Sequence, residues 1–315
     1  THPDEDHIRG FNELLKCVTI GEIWHTPRIF RDHKEDATLC EDAEGFRKEV
    51  ERRRKIIIAN PANVKSGDNL HIIGHDDILN DDKYKDFPRE RTSVPGKLIT
   101  TLDENDVSDV FEAFVHAPFK VDAAATRNNT SLSLHITLKE GAGIGKALFF
   151  GDREYQTTKQ IFEITIERKR EERLAWDILL TPHHCSKKVM YFKGDGEDEE
   201  TFKQDIMNYF NNYKNNGAYI IVSSDHNFSD GDGDNPPHNK ARKRYEEIID
   251  SGHFLCTHQH LSKKSPEPIV FIVNKYGIAY QKPEGKTDAT KSIAEAVIAA
   301  RGGSAPPKEQ VGFGV

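Results

Sequence analysis

The sequence contains few of the features that mark membrane, secreted or disulfide-stabilised proteins. None of its 315 residues lies in an apolar run approaching the roughly 18 residues that a membrane-spanning helix requires, and no secretory signal is recognisable. The four cysteines are scattered without CxxC spacing, which favours reduced thiols over a disulfide framework. We therefore expect a cytoplasmic protein without a membrane partner.

The sequence also lacks an excess of positive charge and any internal repeat. Its formal net charge is -8 and its sequence pI is ≈ 6.0, which disfavours a broad non-specific footprint on duplex nucleic acid. Hydrophobic residues make up 36% of the chain, which is enough to build a core. Its length allows one large domain or two small ones, and overall disorder is not expected.

Ligand-type side chains are concentrated in the first seven residues. The run His2-x-Asp4-x-Asp6-His7 places imidazoles and carboxylates on one short turn, which suits two adjacent divalent metals. The spacing suggests that His2 and Asp4 project to one ion and that Asp6 and His7 reach a second. An acidic tail that happens to contain histidines is the alternative. Because apolar residues recur at helical spacing from Ile8, the motif is predicted to lie on a loop that opens a helix.

Two further ligand-type motifs follow predicted strands. A strand over 147–150 delivers Gly151-Asp152, and a buried strand over 176–180 ends in Pro182-His183-His184-Cys185-Ser186. The glycine-rich run 141–146 looks like a phosphate loop, but its flanks lack the glycine and the hydroxyl that such a loop requires. We predict a hairpin turn there instead.

The rest of the chain is predicted to alternate between helices and strands. Residues 76–109 are polar, acidic and turn-rich, so they are predicted to form a surface insertion, and His135 is expected on the polar face of a strand over 131–138. Predicted helices cover 41–55, 157–170, 201–213, 240–249 and 286–301, the last followed by a flexible Gly/Pro tail. Predicted strands cover 18–24, 55–59, 111–116, 218–223, 254–257, 269–274 and 278–281, the last of which closes the sheet.

The three motifs, in this order, resemble those of the metallo-β-lactamase superfamily. Together with the segment Asn128-Asn129-Thr130-Ser131-Leu132, they look like the branch typified by the hydrolase domain of ComEC-type competence proteins. The resemblance implies an α/β fold, the αββα sandwich, over residues 1–281, with metals at one edge of two packed sheets. Residues 282–315 would form the C-terminal helix and tail. Because the fold has strands before the first motif, the sequence is expected to be N-terminally incomplete.

The resemblance also implies a ligand set for two divalent metal ions. The implied ligands are His2 and Asp4 for the first metal, Asp6 and His7 for the second, Asp152 as the bridge, and His183 or His184 to complete the site. Because Asp4 replaces a histidine that is common in zinc lactamases, the oxygen-rich set shifts the expectation toward manganese without excluding zinc. Cys185 stands where the competence-type proteins have glycine, and it is either a small buried residue or a thiolate ligand.

Two such metals would lower the pKa of a bridging water from 15.7 to about 7 and so supply a metal-bound hydroxide. Asp6 would accept a proton, and Asp152 would hold both ions. We predict a phosphodiesterase that acts on nucleic acid, including single strands, or on nucleotides. Its predicted substrate contacts are Asn227, His238 and Lys187. The alternatives are a lactone, ester or β-lactam hydrolase that uses the same site, and a non-catalytic interaction module.

A separate pattern near the C-terminus contains ligand-type residues without completing a motif. Cys256, His258 and His260 alternate along a predicted strand, so they would share one of its faces. Three ligands without a fourth give a weak zinc signal, and a solvent-facing strand is the alternative.

Overall fold

The computed structural model describes residues 1–27, 39–74, 80–119, 127–231, 236–258, 260–262 and 264–282. Within these ranges the protein is of mixed α/β type, as the sequence predicts. The helices are Glu5–Ile8 (α1), Phe11–Cys17 (α2), Glu41–Ala59 (α3), Tyr155–Glu167 (α4), Gln204–Asn212 (α5) and Asn239–Glu246 (α6). None of these is long and apolar enough to cross a membrane. The C-terminal helix predicted over 286–301 and the tail lie outside the described residues.

The strands form one large mixed sheet and several smaller ones. They are Glu22–His25 (β1), Asn69–Ile73 (β2), Thr92–Ser93 (β3), Leu98–Ile99 (β4), Thr101–Leu102 (β5), Asn105–Asp106 (β6), Phe111–Ala117 (β7), Ser133–Glu140 (β8), Gly143–Phe149 (β9), Trp176–Leu180 (β10), Tyr191–Phe192 (β11), Thr201–Phe202 (β12), Lys214–Val222 (β13), Phe254–Cys256 (β14), Val270–Asn274 (β15) and Gly277–Gln281 (β16). The large sheet has the order β14-β13-β10-β9-β8-β7-β4, and β1-β2-β3 form a three-stranded sheet.

The direction of the strands divides the large sheet into two halves. From β9 through β10 and β13 to β14, neighbouring strands are parallel, whereas β9, β8, β7 and β4 pair antiparallel. Parallel strands need long crossover connections, and α4, α5 and α6 lie in the segments that join them. All four parallel strands therefore end at the same edge of the sheet.

Three apolar clusters fix the order of the layers. Helices α2 and α3 pack on the three-stranded sheet, where Ile57 meets Leu70 and Ile72. The far side of that sheet packs on β7 and β8. The opposite face of the large sheet is covered by α4, α5 and α6, which bury Trp176 among their apolar side chains. Burying one leucine, isoleucine or phenylalanine side chain completely stabilises a fold by roughly 1.5–3 kcal/mol, so these interfaces hold the layers together.

The glycines of the run 141–146 serve close packing of the sheet. Gly141 has a φ of +58° in the turn between β8 and β9, which confirms the predicted hairpin. A Cβ on Gly143 would lie 1.6 Å from the backbone oxygen of Asn274, and one on Gly145 would lie 2.6 Å from a Val273 methyl. The β15–β16 hairpin thus approaches β9 more closely than side chains would allow. It packs across β8 and β9 as a separate two-stranded sheet. The prediction that residues 278–281 close the large sheet is therefore wrong.

Two further predictions from the sequence are wrong. Residues 55–59 end α3 and are not a strand, because Val50, Arg53 and Ile57 form one buried helical face. The described part of 76–109 is not a surface insertion, since it supplies β3 and β4 and buries Tyr84 and Phe87. The predicted side of His135 is confirmed, because Ser133, His135 and Thr137 share one face of β8. Helix α4 and the chain after it cover that face, so the ring is buried.

Candidate metal centre

The carboxyl ends of the four parallel strands carry the ligand-type residues. Gly151-Asp152 follows β9, His183-His184 follows β10, Ser223 to His226 follows β13, and His258 follows β14. The register aligns Phe149 with Leu180 and Val222 with Cys256, so these chain segments leave the sheet side by side. This edge is where open parallel sheets commonly bind ligands.

The turn after β9 presents Asp152 in a fixed position. Gly151 has a φ of +63°, and a Cβ there would lie 2.5 Å from the Cβ of Ser131, so only glycine fits without strain. The backbone N–H of Asp152 donates to Ser131 Oγ at 3.1 Å. The buried guanidinium of Arg153 donates to the carbonyl oxygen of Ser131 at 2.8 Å. The buried Asp152 carboxylate is thereby held at the strand end.

The N-terminal motif places its histidines on that carboxylate. The Nε2 atoms of His2 and His7 lie 3.4 and 3.1 Å from Oδ2 of Asp152. The four-residue helix α1, which begins directly after Asp4, contains Asp6 and His7. The rings of His2 and His7 meet edge to face with centroids 4.1 Å apart. The motif is therefore not a charged tail, because it is packed against the sheet edge.

The turn after β10 brings the second pair of histidines to the same place. His183, His184 and Cys185 have φ values of +49°, +51° and +65°, which is a strained conformation for residues other than glycine. This turn directs His184 Nε2 to 3.4 Å from Asp152 Oδ1 and 2.9 Å from His7 Nε2. The backbone strain at this turn is localised at the residues that reach the candidate site.

Asp6, His7, Asp152 and His184 form what we call the inner cluster. Each offers one ligand atom, and these atoms all lie within 4.8 Å of one another. His184 Nδ1–H donates to the carbonyl oxygen of Ser223 at 2.7 Å, and His7 Nδ1 is hydrogen-bonded to the Thr1 hydroxyl at 2.7 Å. Outer hydrogen bonds of this kind fix the ring orientation of metal-binding histidines. The donor set fits a divalent cation.

The electrostatics of the inner cluster also fit a bound cation. Burial alone would raise the pKa of Asp152, but hydrogen bonds from His184, His2 and His7 outweigh it and lower that pKa. Burial opposes the charge on His184, yet hydrogen bonds to Asp152 and Asp6 raise its pKa to about 10. The same contact with His184 lowers the pKa of Asp6. These carboxylates favour a proton on His184, and a divalent cation bound at the cluster would compete with that proton.

The predicted ligands of the first metal are arranged more loosely. Asp4 Oδ2 lies 3.5 Å from His2 Nε2, while its Oδ1 pairs with Arg127 Nη2 at 3.0 Å. His183 Nε2 lies 4.0 Å from Asp152 Oδ2. The Nδ1 atoms of His2 and His183 are buried without a hydrogen-bond partner. The nitrogens of these two rings that lie near Asp152 are the Nε2 atoms, so the partnerless Nδ1 atoms do not themselves indicate a ligand there.

The three predicted substrate contacts lie in different surroundings. Asn227 is exposed, and its backbone N–H donates to Asp225 Oδ1. His238 is buried with both ring nitrogens engaged, because Nδ1 accepts from Lys240 N–H at the start of α6 and Nε2 donates to Gly231 O. Lys187 is nearly buried and pairs with Glu200 at 3.2 Å. The ring of His238 therefore caps a helix and has no free nitrogen for a substrate.

The surroundings of the two cysteines near the site indicate structural roles. Cys185 is fully buried in the core beside the α4–α6 layer, and burial raises the pKa of its thiol well above the usual range. Such a thiol is a poor ligand and a poor nucleophile. Cys256 donates from Sγ to the carbonyl oxygen of Ser224 at 3.1 Å. Strand β14 ends at Cys256, and His260 is buried with Nε2 2.8 Å from the Tyr280 hydroxyl.

Comparison with protein-family models, with curated proteins and with solved structures found no match to this chain. The resemblance to the metallo-β-lactamase superfamily therefore stays a prediction from the motifs. The side chains at the sheet edge are what supports a function.

Two features of this edge escape sequence reasoning. Arg127 precedes the Asn128–Leu132 segment without any motif, and only the fold brings it to Asp4. Asp225, His226 and His258 form a second group whose ligand atoms lie within 4.8 Å of one another. We call it the outer cluster. Its signal was present in the sequence, since these residues follow two consecutive apolar strands.

Proposed function

We propose that the protein is a metal-dependent hydrolase that binds two divalent ions, zinc or manganese, and cleaves phosphodiesters in single-stranded nucleic acid or nucleotides. The observation that carries this proposal is the inner cluster, which joins ligand atoms from the N-terminal motif and from the ends of β9 and β10. Burying charged groups is costly unless they are paired or hold a ligand. A cluster of this kind is therefore a candidate functional site.

The position of Asp152 supports a bridging role between two ions. Its Oδ2 faces both His2 and His7, and its Oδ1 faces His184. We assign Asp6, His7 and His184 to one ion and His2 and Asp4 to the other. Two imidazoles with two carboxylates suit zinc, and the share of oxygen ligands also suits manganese.

Two ions bound here would supply activated water at neutral pH and stabilise charge on the phosphoryl oxygens. Side chains of the protein would orient the metal ligands and accept the proton. Ser223 and Thr1 orient the rings of His184 and His7. The Asp6 side chain is 58% exposed, and like any ordinary aspartate it is ionised at neutral pH. Asp6 can therefore accept a proton from a water that enters from solvent.

Cationic side chains at the rim of the cluster favour an anionic substrate. Arg127 Nη2 lies 3.0 Å from Asp4 Oδ1, and Lys188 Nζ lies 3.8 Å from Glu154 Oε1. Both cations are partly exposed, with side-chain exposures of 37% and 34%. We expect a phosphate bound at the inner cluster to contact these two side chains. This supports a phosphodiester over an uncharged ester or lactone.

The test uses the full chain loaded with manganese or zinc. We expect turnover of bis-p-nitrophenyl phosphate and cleavage of single-stranded DNA or RNA. Asp152→Asn and His184→Gln should each abolish turnover while urea unfolding shows a folded protein. The matched control Asp250→Asn, which alters an exposed carboxylate outside the cluster, should retain turnover.

The outcomes separate the alternatives. A metal-loaded protein that cleaves no phosphodiester would contradict the proposal. Cleavage of p-nitrophenyl acetate alone would indicate the ester-hydrolase reading. Failure to bind manganese or zinc at the inner cluster would leave a non-catalytic interaction module.

A further inference from the structure

The outer cluster gathers three ligand atoms on the carboxyl side of β13 and β14. The Nδ1 atoms of His226 and His258 lie 3.0 Å apart. Oδ1 of Asp225 lies 3.1 Å from His226 Nδ1 and 3.3 Å from His258 Nδ1. One carboxylate oxygen and two imidazole nitrogens thus converge on a single point.

The sheet register explains why these residues meet. Val222 pairs with Cys256, so the segments after β13 and β14 begin side by side. Cys256 Sγ donates to the carbonyl oxygen of Ser224 at 3.1 Å and ties the two segments together. The backbone N–H of Asn227 donates to Asp225 Oδ1 at 2.8 Å, which fixes the carboxylate. The cluster is therefore built by the fold and does not depend on one flexible loop.

The orientation of the rings favours a metal ligand. The backbone N–H of His226 donates to His258 Nδ1 at 3.4 Å, so this nitrogen carries an acceptor lone pair, which a metal would take over from the N–H. The 3.0 Å between these two Nδ1 atoms suits an N–H···N hydrogen bond when no metal is bound, and it also brings both nitrogens within reach of one cation. Asp225 and His226 are exposed, so an ion can reach the site from solvent.

We propose that Asp225, His226 and His258 bind one zinc ion, separately from the inner cluster. Two imidazole nitrogens and one carboxylate oxygen are a ligand set that zinc accepts in a tetrahedral site. The fourth position faces solvent, where water or a group from a substrate or partner can bind. This proposal does not rest on the phosphodiesterase function, since the ligands of the two clusters are different residues.

The test counts zinc ions on the full chain. Protein freed of metal with a chelator is titrated with zinc chloride by isothermal calorimetry, and bound zinc is measured after desalting. We expect the variant with His226→Ala and His258→Ala to bind one zinc fewer per chain than the wild type. The control Asp230→Ala, an exposed carboxylate in the same loop, should bind as many as the wild type.

A second readout locates the ion. Histidine acylation by diethyl pyrocarbonate, mapped by mass spectrometry, should fall at His226 and His258 when zinc is added. In Asp152→Asn, zinc at the inner cluster should be lost while this protection remains, so failure of one site is distinguishable from failure of the other. Equal zinc content in the wild type and the double variant, or no protection by zinc, would overturn the proposal.

Discussion

Two buried histidines should make the protein sensitive to mild acid. His116 on β7 donates from Nε2 to the carbonyl oxygen of Arg173 at 3.0 Å, and His135 on β8 donates in the same way to Ala175 at 2.9 Å. Both rings thus tether the connection between α4 and β10 to the sheet. His135 Nδ1 is buried with no partner, so a second proton there would find no acceptor. Burial lowers the pKa of His116 to about 3 and that of His135 to about 4.

The loss of stability in acid follows from the protonation of the two rings in the folded and unfolded states. Both rings are neutral in the folded protein, whereas in the unfolded chain they take up protons near pH 6.5. Their contribution to stability is therefore complete above pH 6.5 and is lost as the pH falls toward the folded pKa values. Between pH 7 and pH 5, each ring should lower the free energy of unfolding by about 2 kcal/mol, or about 4 kcal/mol together. The charges of Arg173 and Lys146 oppose protonation further, and Glu112 favours it at His135.

The measurement is urea unfolding at pH 5, 6, 7 and 8 in the presence of a chelator, so that metal release does not contribute. In the variant with His116→Gln and His135→Gln, each glutamine can still donate to its carbonyl. We expect the loss of stability from pH 7 to pH 5 to shrink by about 4 kcal/mol in this variant, and by about half that in each single variant. The same pH dependence in the wild type and the double variant would refute the reasoning.

Three further experiments test how side chains pack in the folded protein. Gly151→Ala should lower the free energy of unfolding by about 2–5 kcal/mol, the sum of the cost of a left-handed backbone and the cost of crowding against Ser131. Gly217→Ala, at a φ of +74° with open space around it, should show only the backbone cost. Equal losses of stability in urea unfolding would argue against crowding at Gly151. Arg53→Met should lower the free energy of unfolding by about 3–5 kcal/mol, because the buried guanidinium donates to Glu49 and to three carbonyl oxygens. The control Arg52→Met, at the surface, should cost about 1 kcal/mol or less. Similar shifts of the urea midpoint in the two variants would contradict this expectation. Iodoacetamide should label the exposed Cys17 in the folded protein and Cys185 only in urea, so labelling of folded Cys185 would contradict its burial.

Much of the large sheet was predictable because its strands are apolar runs bounded by polar turns. The strand predicted over 176–180 is observed as Trp176–Leu180, and the one predicted over 254–257 is observed as Phe254–Cys256. The predicted strand over 55–59 failed because three successive isoleucines look like a strand locally. Only the position of Ile57 below Arg53 and Val50 reveals the helix, and that depends on tertiary packing.

The candidate site was partly predictable for the same reason. Strand-end positions placed Asp152 and His184 together, since parallel strands share an edge. The capping role of His238 was not foreseeable, because both of its nitrogens are engaged by backbone groups that only the fold brings close. The outer cluster was predictable only in part, because the strand-end positions of Asp225 and His258 are visible in the sequence, whereas their meeting depends on the register of β13 and β14. Whether these residues bind metal stays a prediction.

Gly143 and Gly145, the glycine stripe of β9, limit how far the protein can be shortened. Gly143 and Gly145 leave bare main chain where the β15–β16 hairpin rests, and no side chain there can shield it once the hairpin is gone. A version cut after residue 262 would keep all the residues of both clusters but uncover this stripe beside the apolar chains of β8. Exposed sheet surface of this kind is prone to self-association. A shortened version must therefore keep the hairpin through Gln281, its last residue.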